Sequence, residues 1–534
     1  MNAISAPLFP AQGLRALSAK ETLQRASALS CSADKKPSCT GQVFIGIFFD
    51  GTGNNREADY LKPPPLKRKH SNVVRLFQAY RDSQADGYFA EYIPGVGTPF
   101  PEIGDTGGNV FGGSAAFKGD ERMIWAFTRL INAPHSFVIG KKLIEDPQAG
   151  EMANNVGSLL NIRNTVFNTW QDKLKAALAG RKPTITQLNV SVFGFSRGAA
   201  EARAFVNWLF KVCKQEGGGW TFAGIPIRLH FLGLFDTVAS VGVANLFEVP
   251  GGPVGHQGWA DDNLQIHPAV EQCVHYVAAH EVRACFPLDS ARIGSRYPTN
   301  VMEVLYPGAH SDVGGGYAAG DLGVSLEQKH QMCVIPAVNM YQAARQAGVP
   351  LLPMDRLSNT DKNALTPSAE AIKAFNAYMR AAKVASAPIE VMLQNHMAHY
   401  FSFRLKAHAR FAATAPWVNA SVQHRNYLGQ TQQCLIQRLA SLGADPRNPG
   451  YAPHSAAQNY EKLMKSSGLA LGDKERKLIE VAKKMNLNAL NEEMEHFLAN
   501  YIHDSMAGFI AQLNEYSSNS IGIMKFRTVF HGND

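Results

Sequence analysis

The first part of the chain carries its apolar residues in short, mostly apolar runs, each cut off by turn-forming residues. Val43–Phe49 reads Val-Phe-Ile-Gly-Ile-Phe-Phe and stops at Asp50-Gly51-Thr52-Gly53-Asn54-Asn55. The grammar recurs at Tyr88–Ile93 before Pro94-Gly95, at Leu188–Phe193 before Gly194, at Ile225–Phe235 before Asp236, and at Val301–Tyr306 before Pro307-Gly308. Continuous runs of this length suit strands covered on both faces, as in a parallel sheet. Met123–Ile131 and Val156–Leu178 read as helices between them. Strand, loop, helix, strand predicts a doubly wound α/β sheet.

Beyond about residue 320 the period changes. Ile372, Phe375 and Met379 recur at helical spacing, as do Met494, Phe497, Leu498, Tyr501, Ile502, Phe509 and Ile510. Lys474–Lys484 mixes charges as a solvated helix face does, and Ile523–Phe530 reads as a strand returning to a sheet edge. Residues 1–40 are small and polar, with Pro7, Pro10 and Pro37, and read as an arm. The expected organisation is an arm over 1–40, an α/β catalytic domain over 41–320, and a mostly helical region over 321–534 that serves as a lid or membrane-contacting part.

Composition narrows the classes. At 45% apolar residues, the 534-residue chain buries a sizeable core and is not mainly disordered. An excess of 52 basic over 44 acidic residues, +8, suits an anionic partner or membrane surface without calling for nucleic acid. The 7 cysteines are odd in number and form no Cys-x-x-Cys pair, which points to reduced thiols rather than a disulfide scaffold or zinc ribbon. No Sec signal opens the chain, and no run approaches the roughly 20 apolar residues of a membrane span. The expectation is a protein made soluble in the cytoplasm and, if it works elsewhere, exported without a signal peptide.

Gly194-Phe195-Ser196-Arg197-Gly198 is a G-x-S-x-G between a buried-type strand and a strong helix beginning Ala199-Ala200-Glu201. That context is what a nucleophilic serine on a sharp strand-to-helix turn requires. The helix N-terminus favours developing negative charge, and the Arg197 N–H is a candidate oxyanion donor. A base and an orienting acid follow in the order Ser, acid, His. His310 lies on the glycine-rich loop after the last predicted sheet strand, in Pro307-Gly308-Ala309-His310-Ser311-Asp312-Val313-Gly314-Gly315-Gly316-Tyr317. Asp236 caps the strand next after the serine's and is the leading acid. Asp312 is second, more suited to bracing the histidine loop, and Asp261, Asp262 and Asp504 are outsiders.

Gly51, Thr52 and Gly53 could complete the oxyanion hole with backbone N–H groups. Asp50 reads as a turn former, with cation binding as the alternative; a Walker loop is excluded because Gly-Lys-Ser/Thr is missing. Gly104–Gly119 is either a rim of the site or a long loop. Lys62–His70, basic and rich in proline, is a solvated loop or a contact for anionic lipid heads. His396 and His399 lack carboxylate or cysteine companions, so no metal site is expected there.

The stretches FFDGTGNN, YIPGVGT, GFSRGAA, GLFDTVASVG, HEVRACFP and PGAHSDVGGGY, in this order over about residues 42–320, resemble the α/β-hydrolase domain of the type VI secretion lipase effectors of family 1. NYIHDSMAGF and MKFRTVFHG near the C-terminus resemble that family too. The resemblance implies an α/β-hydrolase-like fold and phospholipase A2, and often A1, activity through Ser196, Asp236 and His310. It also implies delivery into a rival's periplasm, a VgrG-like spike carrier, a cognate immunity protein, membrane phospholipid as substrate, and no cofactor. The competing readings are a non-secreted serine esterase on soluble esters, and a non-catalytic secretion adaptor on a hydrolase fold.

Overall fold

The computed structural model describes residues 3–30, 39–108, 118–157, 160–239, 260, 264–509, 524 and 526–531. Its centre is a nine-stranded sheet. Seven strands form its main path: β1 (Ile4–Ser5), β2 (Thr40–Phe49), β3 (Tyr88–Ile93), β4 (Thr184–Phe195), β5 (Ile225–Phe235), β6 (Cys273–Ala278) and β7 (Val301–Tyr306). Their order is β1-β7-β6-β5-β4-β2-β3, with every neighbouring pair parallel. A short hairpin, Lys214–Glu216 with Gly219–Phe222, adds antiparallel pairing to β5.

The predominantly apolar runs are explained by two cores, one on each face of the sheet. Val43, Ile45, Ile47 and Phe49 of β2 join Val190 and Val192 of β4 against Met123, Phe127 and Phe205 from the helices Gly119–Ile139 and Arg197–Val212. Phe48 and Phe193, facing the other way, stack at 4.9 Å across the β2–β4 pair. They share a second core with Met340, Phe375 and Phe497. Those three residues belong to the helices Val334–Gln346, Ala369–Ala382 and Glu492–Asn500, so the helical region packs on the sheet. The fold is therefore α/β with a helical C-terminal region. Among the described residues no helix is long and apolar enough to cross a membrane.

Three departures from the sequence reading have clear causes. The supposed arm is packed: Ile4 and Ser5 pair with β7, Ala3 and Phe9 are buried, and Ala19–Ser30 is a helix. Two residues of edge strand are too few to leave an apolar run in the sequence. β6 escapes the run rule because His275 and Tyr276 interrupt its aliphatic residues. The tail strand is Val529–His531, and it pairs in parallel with Leu288–Ser290 in a separate two-stranded sheet, not with the main sheet edge. Ile510, Ile523 and Lys525 lie outside the described residues.

Arg203, on the helix after β4, is buried and ties that helix to the Leu288–Ser290 ribbon. Its guanidinium donates to the carbonyls of Leu264, of Asp289 (2.7 Å) and of Ser290 (3.2 Å). Arg203→Met keeps much of the volume but removes these three hydrogen bonds, each lost buried partner costing about 1–3 kcal/mol. The variant is expected to unfold at a clearly lower denaturant midpoint with an unchanged m-value.

Candidate active site

Parallel strands deliver their C-terminal ends to one edge of the sheet, and the chemistry gathers there. Ser196 follows β4 with φ 57° and ψ −126°, a left-handed conformation that costs a non-glycine residue about 1–3 kcal/mol. The surroundings hold it in place. Its N–H donates to the Phe235 carbonyl at 3.0 Å, and its own carbonyl accepts from the N–H groups of Ala199 (3.0 Å) and Val238 (3.3 Å). The elbow is thus sewn to the residues on either side of Asp236. A Cβ on Gly194 would stand 2.4 Å from the Gly198 carbonyl oxygen, and one on Gly198 would stand 2.3 Å from that of Asp50, so close backbone approach demands both glycines.

Asp236 is fully buried, also at positive φ (37°). Its Oδ2 lies 2.6 Å from His310 Nδ1 and its Oδ1 accepts the Ala278 N–H at 2.9 Å. Donation through Nδ1–H leaves Nε2 of a neutral His310 as an acceptor. The His310 ring packs between Phe195, immediately before the serine (centroids 4.6 Å), and Phe286 (5.1 Å). The structure brings Ser196, Asp236 and His310 to one place, but no hydrogen bond joins the serine to the histidine. His310 opens a one-turn helix, His310–Gly314, where an open loop was expected, because Asp312 accepts the Ala309 N–H at 2.9 Å.

Asp312 has a different partner: His503 Nδ1 at 2.6 Å, with the His503 N–H donating to its other oxygen at 3.0 Å. Asp504 pairs with Arg404 at 2.5 Å and Thr431 at 2.7 Å. Asp261 and Asp262 lie outside the described residues, as do 109–117 of the glycine-rich stretch. The Asp50 carboxylate forms a turn by accepting its neighbour's amide, Gly51 N–H, at 2.8 Å, and it also accepts the Tyr92 hydroxyl at 2.6 Å; burial pushes its pKa up to about 6. The Gly51 amide is therefore engaged, and Gly53 N–H donates to the Val96 carbonyl at 3.0 Å. This corrects the reading of all three loop amides as open donors. Only Thr52 N–H has no partner among the described residues, and its hydroxyl accepts from Arg197 Nε, which joins the loop to the elbow. His396 bonds Tyr378 at 2.8 Å, and no group of three or more metal-ligating side chains occurs among the described residues.

Six further residues around Asp236 and His310 were not singled out from the sequence. Arg527 places one terminal nitrogen 3.0 and 3.1 Å from the two oxygens of Asp236. Glu281 Oε2 accepts the His310 N–H at 3.2 Å, while Arg283 and Ser505 satisfy the same carboxylate. His275 Nε2 accepts the Thr237 N–H at 3.1 Å, so its proton sits on Nδ1 and is donated to Glu303 at 2.9 Å. The available signal was a charged or imidazole side chain inside an apolar run, at Glu303 and His275. Burial alone would raise Asp236, but Arg527 and His310 outweigh it and hold its pKa below the usual carboxylate range. Burial lowers His310 below the ordinary histidine value against the pull of Asp236.

The family model described as T6SS, Phospholipase effector Tle1-like, catalytic domain, matches residues 44–217 and 214–343. A crystal structure of an uncharacterized protein from Pseudomonas aeruginosa is 25% identical, covers 100% of this chain and 85% of its own, and superposes with a TM-score of 0.76. The structure of the Tle1 effector bound to the VgrG spike from the type VI secretion system is 19% identical over 68% of this chain and 85% of that one, with a TM-score of 0.37. No curated protein matches this chain.

Two outcomes follow from the site geometry. Asp236→Asn is expected to lower kcat by about 10⁴-fold in a folded protein, as loss of the orienting charge does in a serine triad, while Asp312→Asn loses far less. A histidine serving as base must be neutral to accept a proton, so with His310 in that role its lowered pKa would keep activity as pH falls past the ordinary value of about 6.5. The acid limb of kcat/KM against pH should have its midpoint below that value.

Proposed function

The chain belongs to the Tle1-like phospholipase effectors of type VI secretion, and on that premise we propose that it is a serine-dependent hydrolase of acyl esters in membrane glycerophospholipids, with A2 activity and A1 as a second. The observation that carries this reading is the 2.6 Å bond between Asp236 and His310 beside the strained Ser196 elbow. Ser196 Oγ attacks the acyl carbonyl as His310 Nε2 takes its proton. Asp236 keeps the imidazole in the required tautomer and stabilises the imidazolium. The N–H groups of Arg197 and Thr52 receive the charge that develops on the carbonyl oxygen. The protonated histidine then supplies the leaving alcohol with its proton. Water, deprotonated by the same histidine, attacks the acyl-enzyme and frees the fatty acid. These steps need neither metal nor organic cofactor.

Family membership supports export by the type VI machine, and with it a VgrG-like spike carrier, an immunity protein in the producer, and action at the membrane from the target's periplasmic side. Residues 41–320 would hold the hydrolase machinery, and the helical part beyond 320 would shield the acyl chains.

Ser196→Ala is expected to abolish release of fatty acid from phospholipid vesicles, a loss of about 10⁴-fold or more, with an unchanged melting curve. Near-normal turnover by the folded variant would end the serine mechanism. Hydrolysis of short soluble esters alone, with vesicles untouched, would point to the esterase reading. A protein inert to both substrates and to a fluorophosphonate probe would point to the adaptor. For location, the native chain expressed in the cytoplasm should be nearly harmless. The same chain behind a cleavable Sec signal and flexible linker should kill, and Ser196→Ala should remove the killing. Equal toxicity from both compartments would count against periplasmic action.

A further inference from the structure

Two described stretches near the C-terminus, 501–509 and 526–531, reach the site from outside the family-matched region, which ends at residue 343. Three side chains of these stretches each meet a different buried carboxylate around the acid and base. His503 holds Asp312 at 2.6 Å, Ser505 donates to Glu281 at 2.9 Å, and Arg527 meets both oxygens of Asp236 at 3.0 and 3.1 Å. The first two act at one remove, on the turn that carries His310. The third touches the acid itself.

We propose that Arg527 is a positioning residue for the ester hydrolysis, a cation supplied by the C-terminal strap that aims the Asp236 carboxylate at His310 and limits the negative field the imidazole feels. This inference rests on the serine-hydrolase reading above.

The strap is built to present this guanidinium. Arg527 Nε donates to the Phe286 carbonyl at 2.8 Å, the Leu288 N–H donates to the Thr528 carbonyl at 2.8 Å, and Val529–His531 continues as a strand on Leu288–Ser290. That same ribbon holds the segment following the acid. The Asp289 N–H donates to the Thr237 carbonyl at 3.0 Å, and Asp289 Oδ2 accepts the Ala239 N–H at 2.8 Å. One ribbon therefore fixes the acid's loop on one side and the arginine's strap on the other. Without Arg527, Asp236 keeps the Ala278 N–H and His310 as donors, and the carboxylate gains freedom to turn.

The charges facing this trio work in a definite direction. Asp236 and Glu281 face His310 and favour its protonation, whereas Arg283, paired with Glu281 at 2.8 Å, opposes it. Arg527 opposes it indirectly, by neutralising part of Asp236. Removing the guanidinium strengthens the pull of Asp236 on the imidazolium, so the histidine pKa rises and the acid limb of the rate profile moves to higher pH. A brace that only tied down the tail would alter stability and leave that limb where it is.

The test compares the full-length wild type with Arg527→Met, Arg527→Ala and the control His531→Ala, which loosens the tail contact to Glu390 but keeps the guanidinium. Turnover of p-nitrophenyl butyrate and the rate of fluorophosphonate labelling are followed from pH 4.5 to 9. Expected for Arg527→Met is a fall in kcat of about tenfold to a hundredfold with little change in KM, as for a reacting group misplaced by a fraction of an ångström. Its acid limb should move up by about one pH unit. Added guanidinium chloride at millimolar concentration should restore kcat of Arg527→Ala, where sodium chloride at the same ionic strength does not. His531→Ala should keep the wild-type limb. The proposal is overturned if folded Arg527→Met retains the wild-type kcat and limb, or if His531→Ala reproduces its shift. If wild type itself is neither labelled nor active, the serine-hydrolase reading falls and takes this inference with it; a labelled wild type indistinguishable from Arg527→Met sinks this inference alone.

Discussion

A carboxylate sealed from water is the constraint on which the rest of this structure depends. Asp236 has no exposed surface, and moving an ionised carboxyl group out of water costs several kcal/mol unless donors replace the lost hydration. Here the donors are the Ala278 amide at the end of β6, the His310 ring that follows β7, and the guanidinium of Arg527. Each comes from a different stretch of chain, so keeping this one charge requires all three to be in register. Removing the charged partner of a buried ion pair typically costs about 3–5 kcal/mol, because the remaining charge is left uncompensated, and Arg527 is that partner here. The positive φ values at Ser196 and Asp236 are tolerated for the same reason, since the hydrogen bonds that pin both backbones belong to this network.

Convergence of this kind is a property of the parallel sheet. With all main-path strands running the same way, the residues that follow β2, β4, β5, β6 and β7 emerge on one edge. They are Asp50, Ser196, Asp236, His280 with Glu281, and His310. The two cores hold the strands from both faces, which fixes that edge to the precision a proton transfer needs. The Glu303–His275–Thr237 chain extends the principle into the interior, where a buried imidazole accepts a hydrogen bond from the amide immediately after Asp236 and donates one to a buried glutamate.

Much of this was legible in the residues. Five of the seven main-path strands announced themselves as mostly apolar runs closed by turn-forming residues, because burial on both faces leaves few polar positions. The serine turn was legible from its glycines, whose close contacts exclude side chains, and His310 and Asp236 stood at strand ends. What stayed hidden depended on distant contacts. β6 was masked by His275, whose polarity makes sense only beside Glu303. The two-residue β1 has no periodicity to detect. Arg527 sat in a tail that looked like an edge strand, and nothing local says that its partner lies 291 residues away. Gly51 and Gly53 looked like open amide donors, since neither the Asp50 carboxylate nor the Val96 carbonyl can be placed from sequence.

The strap also sets the order in which the molecule can become competent. Its three contacts close loops of 191, 224 and 291 residues, all long-range pairings. Non-local contacts repay their closure entropy late, so topologies rich in them assemble slowly. On a ribosome adding about 5–20 residues per second, the stretch between the acid and its arginine takes roughly 15–60 s to appear. Once β7 has been made, the strands of the sheet, the elbow and the helix behind it can pair while Asp236 still lacks its guanidinium. Maturation of the site is thus coupled to completion of the fold, and a chain released early or trapped short of docking its tail carries the Ser196 elbow without the full set of donors around Asp236.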